Sequence, residues 1–380
     1  MMTSWTRIFL LYGIGVLSAG QLGIVPPLVP ALQRDLGLSL AAAGTAVSIV
    51  TLIGAVFGLL AGGWCEKVGH PRAIGIGVAV MAVAAGLCAI SSGATMLLAA
   101  RGLAGMGYLL VVVAGPSLIA ATSEPRHQPI SLSLWGTFVP VGIALAGGVT
   151  ASLAGGVGWR LIFAMDAVLL AAVCATVVAV PRTRPTVIAE PRPRRDLPRA
   201  AWPLAVAFFC FALLFLALAG ILPAYLVESR GMDAAPAGRI VAVATAFGIV
   251  GSLAAGWMMR RGLAPARLVA VGLAASTVAA SLAFYVALGP PFAIVVLAAS
   301  FAIGGLVPAA AFASVPLVAP DPRAIGPING LLAQAGSLGS LAGPPLLALW
   351  VEWAGWSTAP LLLLAVAALG AAAALAVPRR

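Results

Sequence analysis

Apolar residues run almost uninterrupted for about 20 positions at a time along this chain, separated by short stretches of glycine, proline or charge. Runs of this length can cross a bilayer as helices. Their apolar positions do not alternate every second residue, so the pattern predicts helices and not strands. Twelve spans are predicted, near residues 8–32, 40–62, 73–92, 95–121, 130–155, 160–180, 202–227, 236–258, 267–288, 291–317, 325–350 and 357–377.

A tract rich in proline and arginine divides the chain near its middle, at residues 181–200. Such a tract cannot bury an apolar face and is typical of a linker. Six predicted helices precede it and six follow. The predicted fold is therefore an all-α membrane protein, with an N-terminal six-helix bundle over residues 1–180, a cytoplasmic linker, and a C-terminal six-helix bundle over residues 201–380.

The two halves share landmarks at a nearly constant spacing, which indicates an internal repeat. Gly37 and Gly44 recur 194 positions later, and the turn that contains Gly69 recurs 193 positions later. Gly142 recurs 197 positions later, as does a Gly-Trp step. Two six-helix repeats in parallel are a design of secondary transporters. A membrane scaffold without transport activity is the alternative that duplication alone leaves open.

Composition and charge indicate a multi-pass protein of the cytoplasmic (inner) membrane with both termini in the cytoplasm. Charged residues make up 8% of the 380 positions, against about 25% in soluble domains. The net charge is +11, and with the N-terminus inside, 16 of the 21 lysines and arginines fall in cytoplasmic segments. This asymmetry follows the positive-inside rule. The basic residues therefore act as topology signals and contact membrane lipids, and nucleic acid is not an expected partner.

The predicted turn between spans 2 and 3 carries the sequence GGWCEKVGHPR. Its residues Gly62, Glu66, Lys67, Gly69 and Arg72 follow the cytoplasmic loop motif of the major facilitator superfamily, which the chain resembles over essentially its whole length. The resemblance implies a secondary transporter that works by alternating access, with a weaker similarity to the cyanate-permease-like branch of small-solute carriers. The motif departs from the usual family pattern by having glutamate in place of aspartate and His-Pro at a basic site.

In the family this loop locks the cytoplasmic side, and the resemblance implies the same role for Glu66. A carboxylate accepts hydrogen bonds from a helix N-terminus and is favoured there by the helix dipole, so the start of span 11 near Ile325 is the predicted partner. The second copy of the turn has Met259 in place of the acid. We therefore expect this lock, called the latch below, in the first half alone. The alternative is that Glu66 is a solvated loop acid. Lys67 and Arg72 are expected at the lipid headgroups.

Two charged residues lie well inside predicted spans, and we expect them to be functionally linked. Arg101 in span 4 and Asp166 in span 6 each lie about six residues from the outer end of their span. Charged residues at membrane depth are costly and face a cavity or a partner, so a shared depth favours pairing. The family places a similar arginine near its proton pathway. Asp166 is the only carboxylate well inside a predicted span, and pairing with Arg101 would make it a candidate proton carrier. Snorkelling of Arg101 toward the interface is the alternative.

Uncharged polar residues in the spans are candidates for contact with substrate. Such groups either bind substrate by hydrogen bonds or hold a neighbouring helix, for about 0.6 kcal/mol on average, and the sequence leaves both roles open. Gln21 is the strongest candidate, because the first span of the family lines the cavity. The other candidates for the substrate and proton pathway are Tyr108, Thr137, Asn329 and Gln334.

Glycines and prolines of spans 5 and 11 predict close helix packing and local kinks. The residues expected in these roles are Pro140, Gly142, Gly339, Gly343 and Pro344. Antiporters of the family carry a Gly-Pro step in span 5, whereas in this chain Val139 precedes Pro140 and a Gly-Pro step stands in span 11.

Neither an enzyme nor a bound cofactor or metal is expected, because the four cysteines and two histidines show no metal-ligand or disulfide spacing. We expect a monomeric, proton-linked transporter that moves a small organic solute across the membrane. Export of an amphipathic compound is favoured by the apolar walls and by the absence of an acid in span 1. Uptake of a small anion is the alternative, with Arg101 as the buried cation.

The predicted topology is tested by a reporter fused after Arg380. We expect a cytoplasmic signal, because an even number of spans returns the chain to the side of its N-terminus. A second fusion, placed in the predicted outer turn at Gly231, is the matched control and should report the opposite side. A periplasmic signal after Arg380 would contradict the topology.

Overall fold

The structure is a computed structural model that describes residues 4–124, 127, 131, 134–179, 198–285, 290–319 and 325–377. Within these ranges the chain is helical and has no strand; most of the predicted linker, residues 181–197, lies outside them. The first half contains the helices Trp5–Gly23, Val29–Leu36, Leu40–Ser48, Leu52–Val68, His70–Ala89, Ala94–Thr122 and Phe138–Ala179. The second half contains Ala201–Glu228, Ala234–Ala246, Gly248–Arg260, Pro265–Tyr285, Pro290–Gly304, Leu306–Val318, Ile325–Ala354 and Ala359–Leu375.

The described helices build twelve membrane crossings, numbered as spans 1 to 12 in chain order. Ten helical stretches are long and apolar enough to cross a membrane. One of them, Phe138–Thr176, is interrupted at Gly158 and provides spans 5 and 6. Span 11 is the 30-residue helix Ile325–Ala354, which at 1.5 Å per residue is about 45 Å long. The predicted all-helical membrane fold with twelve spans is confirmed.

Spans 1, 2, 8 and 10 each consist of two helices, a feature that the apolar pattern did not predict. In span 1, Pro26 and Pro27 begin a 3-10 turn, because proline lacks the N–H that would continue the helical ladder. Span 2 has a 3-10 turn at Ile49–Thr51, and spans 8 and 10 break at Phe247 and Gly305. Each break leaves backbone groups that other parts of the protein must satisfy, since lipid offers no hydrogen bonds.

The turns at the span ends repeat between the halves in geometry as well as in sequence. Among the described residues, six glycines have positive φ, and they form three pairs at the spacings seen in the sequence. The pairs are Gly37 and Gly231 (φ 63° and 62°), Gly69 and Gly262 (91° and 87°), and Gly158 and Gly355 (74° and 79°). Glycine adopts this conformation without the steric cost of a side chain, so the repeat has preserved the turns.

A second pair of contacts repeats beside these turns. The indole of Trp159 donates to Oδ2 of Asp35 at 2.8 Å in the first half. In the second half the indole of Trp356 donates to Oε2 of Glu228 at 3.2 Å. Each bond ties the start of the last span of a half to the turn that follows its first span. Both bonds lie at the end of the bundle that the sequence predicts to face outward, called the outer end below.

Helix packing also repeats. A methyl group at Gly142 would collide with the carbonyl of Val16 in span 1, and one at Gly339 would collide with the carbonyl of Phe209 in span 7. The backbone of Gly343 also lies against span 7. Spans 5 and 11 therefore lie equally close to spans 1 and 7, as their glycines predict.

Pro140 lies in the first turn of a helix, directly after turn residues at positions 136 and 137. The helix of span 5 begins at Phe138, later than the predicted residue 130, and Pro140 is its third residue. A proline in the first turn removes an N–H that has no partner within the helix. By contrast, Pro344 and Pro345 lie inside the helix of span 11.

The two halves meet along spans 2 and 11. Pro345 lacks an N–H, so the carbonyl of Leu341, four residues earlier, loses its helical partner. Ser48 of span 2 donates its hydroxyl to that carbonyl at 2.8 Å. Gln334 donates its side-chain amide to the carbonyl of Ala55 at 2.8 Å. Gln334, a predicted pathway residue, therefore holds the two halves together in this structure.

At the outer end of this seam, a carboxylate from one half meets a helix N-terminus of the other. Glu352 of span 11 accepts a hydrogen bond from the N–H of Ala41 at 2.8 Å, in the first turn of the helix Leu40–Ser48. The helix dipole favours a negative charge at this place. Such an arrangement was predicted for Glu66 at the cytoplasmic end, and the structure shows it with Glu352 at the opposite end of the same two spans.

Replacing Glu352 by alanine is expected to shift the protein toward outward-open molecules by a factor of about two to five, because a charge at an exposed helix end contributes about 0.3–1 kcal/mol. Spin labels at Arg34 and Asp233, on opposite halves of the outer end, measure the shift as a longer distance. Glu228→Ala is the matched control, since that carboxylate bonds within one half. Equal shifts in both variants would contradict a role for Glu352 between the halves.

Candidate functional site

Arg101 is fully buried, with 0% of its surface exposed, and each guanidinium nitrogen donates to another span. Its Nε donates to the carbonyl of Ala46 at 3.0 Å. Its Nη1 donates to Oε1 of Gln21 at 3.3 Å, and its Nη2 donates to the backbone carbonyl of the same residue. Hydrogen bonds from a charged donor are about twice as strong as neutral ones. Arg101 therefore neither snorkels nor faces an open cavity in this structure.

Both backbone acceptors of Arg101 lie where a helix ends. Gln21 is in the last turn of Trp5–Gly23, and Ala46 is in the last turn of Leu40–Ser48. Carbonyls at a helix C-terminus lack intrahelical partners and carry the negative end of the dipole. A buried guanidinium supplies both the missing donors and the positive charge. Arg101 of span 4 thus holds together the breaks of spans 1 and 2.

Gln21 connects Arg101 to Asp166. Its Nε2 donates to Oδ2 of Asp166 at 2.7 Å, while its Oε1 accepts from Arg101. Gln21 is 1% exposed, so it does not line an open cavity. Among the residues that the structure describes, no direct ion pair joins Arg101 and Asp166. The two charges that the sequence places at one depth do belong to one network, but an amide lies between them.

The second half replaces this network with apolar residues. Gln21 corresponds to Leu214 at the spacing of the span 1 and span 7 contacts, and Asp166 corresponds to Leu363 at the spacing of the turns before spans 6 and 12. Both leucines are buried, with 4% and 1% of their surfaces exposed. Residues 290–318 of span 10, the counterpart of span 4, carry no charge. The same half-bundle therefore forms without the network.

Span 4 packs against span 2 through the face that carries Arg101. A methyl group at Gly105, one turn further along, would collide with the carbonyl of Val50 in the 3-10 turn of span 2. Tyr108 is half-buried and packs against the cores of the bundle. Cys88, buried in span 3, is a further titratable group near Arg101 and Asp166. The face of span 4 that carries Arg101 is thus largely a packing face.

Thr137 lies outside this network, near the start of span 5. Its hydroxyl is 2.9 Å from Oη of Tyr12 in span 1 and donates to the carbonyl of Leu134 at 2.8 Å. The contact between Thr137 and Tyr12 joins spans 1 and 5 toward the inner end. Thr137 was predicted for the pathway, and the structure gives it a helix-to-helix contact.

The turn between spans 2 and 3 is formed at Gly69. Gly69 has φ 91° and separates the two helices, and the side chains of Lys67 and Arg72 are exposed. The side chains of Glu66 and Asn329 lie outside the described residues, so the latch and that pathway residue remain predictions. In the described part of the chain, no cluster of three or more histidines, cysteines and acids is placed to hold a metal ion.

An aromatic face on span 7 escaped the sequence analysis. Phe208, Phe211 and Phe215 are half-buried and recur at helical spacing on one side of the span. Phe208 packs edge-on against Phe312 at 5.3 Å, and Phe215 packs against Phe301 at 5.6 Å, both in span 10. The spacing of three and four residues is the signal that could have revealed this face.

Comparison with known proteins agrees with the fold. The probable nitrate/nitrite transporter NarK2 of Mycobacterium tuberculosis is 29% identical over 356 residues, which cover 88% of this chain and 85% of that protein. A putative metabolite transport protein of Haemophilus influenzae is 36% identical over 137 residues, covering 36% of this chain and only 33% of that protein. The solved structure of a bacterial homolog to the human lysosomal transporter Spinster, inward-facing and occupied, aligns with a TM-score of 0.78 at 15% identity, covering 98% of this chain and 94% of that one.

The family assignment rests on a match to a family model. The family model described as Major Facilitator Superfamily matches residues 11–324, which is well over half of the chain. The twelve spans, the two repeated halves and the glycine turns agree with that match. This protein therefore belongs to the Major Facilitator Superfamily, and it is a multi-pass membrane transporter of small solutes and not an enzyme.

Proposed function

We propose that this protein is a proton-linked secondary transporter that moves a small organic solute across the cytoplasmic membrane by alternating access. The observation that supports the proton link is the network of Gln21, Arg101 and Asp166. Polar and ionisable groups at membrane depth are costly and mark ion pathways, and the second half forms the same bundle with leucines in these places. Asp166 is the member of the network that can take up and release a proton.

The residues that face the interior favour a solute with an apolar surface. Arg101 is fully buried and each of its guanidinium nitrogens already donates to a protein acceptor, so it is not accessible to an anion in this state. The rings of Phe208, Phe211 and Phe215 stand on the side of span 7 toward spans 10 and 11, and aromatic rings bind flat apolar groups. Export of an amphipathic compound is therefore the first candidate. Uptake of a small anion is the second, because the similar NarK2 is described as a nitrate/nitrite transporter.

Transport by the purified protein in proteoliposomes tests the proton link and separates the two candidates. The probes are nitrate, nitrite and tetraphenylphosphonium, each with an imposed pH gradient. We expect the gradient to drive tetraphenylphosphonium, whereas movement of nitrate or nitrite would support anion uptake. Asp166→Asn should lose gradient-driven accumulation but keep exchange at equal pH, because only the proton step is removed. Asp35→Asn, an acid at the outer end, is the control, and no effect of pH on any probe would contradict the proton link.

A double-mutant cycle tests whether Arg101 and Asp166 act together through Gln21. Arg101→Met and Asp166→Leu should each lower folded yield and transport, because an uncompensated buried charge costs about 3–5 kcal/mol. The arginine variant should be the more severe, since it also leaves the carbonyls of Gln21 and Ala46 without donors. The double mutant should lose less than the two losses combined, measured by thermal unfolding in detergent. Strict additivity would show that the charges do not interact and would favour Arg101 as a lone cation.

A further inference from the structure

We propose that Gln21 is the positioning residue that transmits the protonation state of Asp166 to the helix breaks of spans 1 and 2. The inference rests on the proposed proton link and adds to it the residue through which the proton acts. Three contacts carry it: Gln21 to Asp166 at 2.7 Å, Arg101 to the side chain of Gln21 at 3.3 Å, and Arg101 to Ala46 at 3.0 Å.

The amide of Gln21 donates hydrogen bonds at one end and accepts them at the other, so its bonds depend on the charge of Asp166. With Asp166 ionised, the amide NH₂ must face the carboxylate and its oxygen must face Arg101, since the reverse would oppose like groups. When Asp166 takes a proton from water, it becomes neutral and gains an O–H donor. The bond from Gln21 then loses its charge-assisted half, and the oxygen of Gln21 becomes an acceptor for which Asp166 and Arg101 compete.

Because of the position of Gln21, this competition affects the helix breaks of spans 1 and 2. The same residue presents its backbone carbonyl to Arg101, in the last helical turn before the 3-10 segment Pro26–Leu28. Arg101 also holds Ala46, just before the 3-10 segment of span 2. A change at the amide therefore reaches both broken helices through one guanidinium.

Spans 1 and 2 both contact the second half close to their helix breaks. Pro27 of span 1 lies against Gly238 of span 8, where an added methyl would meet the proline ring at 2.9 Å. Ser48 of span 2 bonds to Leu341 of span 11. Loosening the two breaks acts on these contacts, which close the halves against each other.

The groups around Asp166 leave Gln21 as the direct link. In the part of the chain that the structure describes, the titratable or charged groups near Asp166 are Arg101 from span 4 and Cys88 from span 3. On its own span, Arg160 stacks on Trp159 and donates to the carbonyl of Ser91 at 3.2 Å, near the outer end. The amide is not needed for packing, since Leu214 occupies the corresponding place in the second half.

Spin-label distances combined with infrared spectroscopy test the inference without a substrate. Labels at Lys67→Cys and Arg260→Cys, exposed at the inner turns of opposite halves, are placed in a background with the four native cysteines replaced by alanine. The label distance reports the conformation as pH is varied. The carbonyl band of a protonated carboxylic acid, absent in Asp166→Asn, reports the proton on Asp166.

We expect the band and the distance to change together with pH in the parent protein. In Gln21→Leu, the band should still titrate while the amplitude of the distance change falls at least threefold. Gln21→Met has a similar length but offers Asp166 no donor and adds no titratable group, so it should fold and show the same loss. Leu214→Met, at the corresponding place of the second half, is the matched control and should behave as the parent.

The outcomes separate this inference from the proposed function. A pH response that disappears in Asp166→Asn but keeps its full amplitude in Gln21→Leu and Gln21→Met would overturn the role of Gln21 and leave the proton link intact. A pH response that survives in Asp166→Asn, or an Asp166 band that does not change with pH, would overturn the proton link and the role of Gln21 with it.

Discussion

A guanidinium inside a membrane has no water to bond, so the protein itself must satisfy its donors. Arg101 meets this constraint with the side chain and carbonyl of Gln21 and with the carbonyl of Ala46. The two carbonyls are available because spans 1 and 2 end a helix at these places. The charge and the helix breaks therefore depend on each other. Asp166 balances the charge from a distance, through the amide, and leaves the guanidinium to hold the backbone.

Both halves share the same helical scaffold, whereas only the first half contains the polar network of Gln21, Arg101 and Asp166. Glycine turns at matching positions and the two indole–carboxylate bonds recur, because they decide how six helices close into a bundle. The place of Gln21 is taken by Leu214 and that of Asp166 by Leu363, since an apolar side chain is the less costly choice in lipid. Comparison of the two halves therefore shows which residues the bundle needs and which the first half adds to it.

The sequence predicted the spans, the repeat and the two buried charges, because span length and the cost of charge in lipid are properties of short stretches. The bridge by Gln21 was not predictable, since an amide among apolar neighbours suits a substrate contact and a helix contact equally well. The break at Ile49–Thr51 contains neither glycine nor proline. The donor that bonds to the carbonyl of Ala46, just before the break, is Arg101 of span 4. Glu352 escaped notice because its acceptor role depends on a helix 311 positions away.

Pro345 has a consequence for the way the two halves part. Its ring leaves the carbonyl of Leu341 without a partner in its own helix, and the hydroxyl of Ser48 fills that place while the halves are closed. When span 2 moves away, a water molecule can take over the same position and form a bond of nearly equal enthalpy. Separation of the halves at this point therefore replaces one hydrogen bond with another, and the carbonyl does not lose its bond. The proline thus gives span 11 a carbonyl that bonds to span 2 while the halves are closed and is open to water when they part.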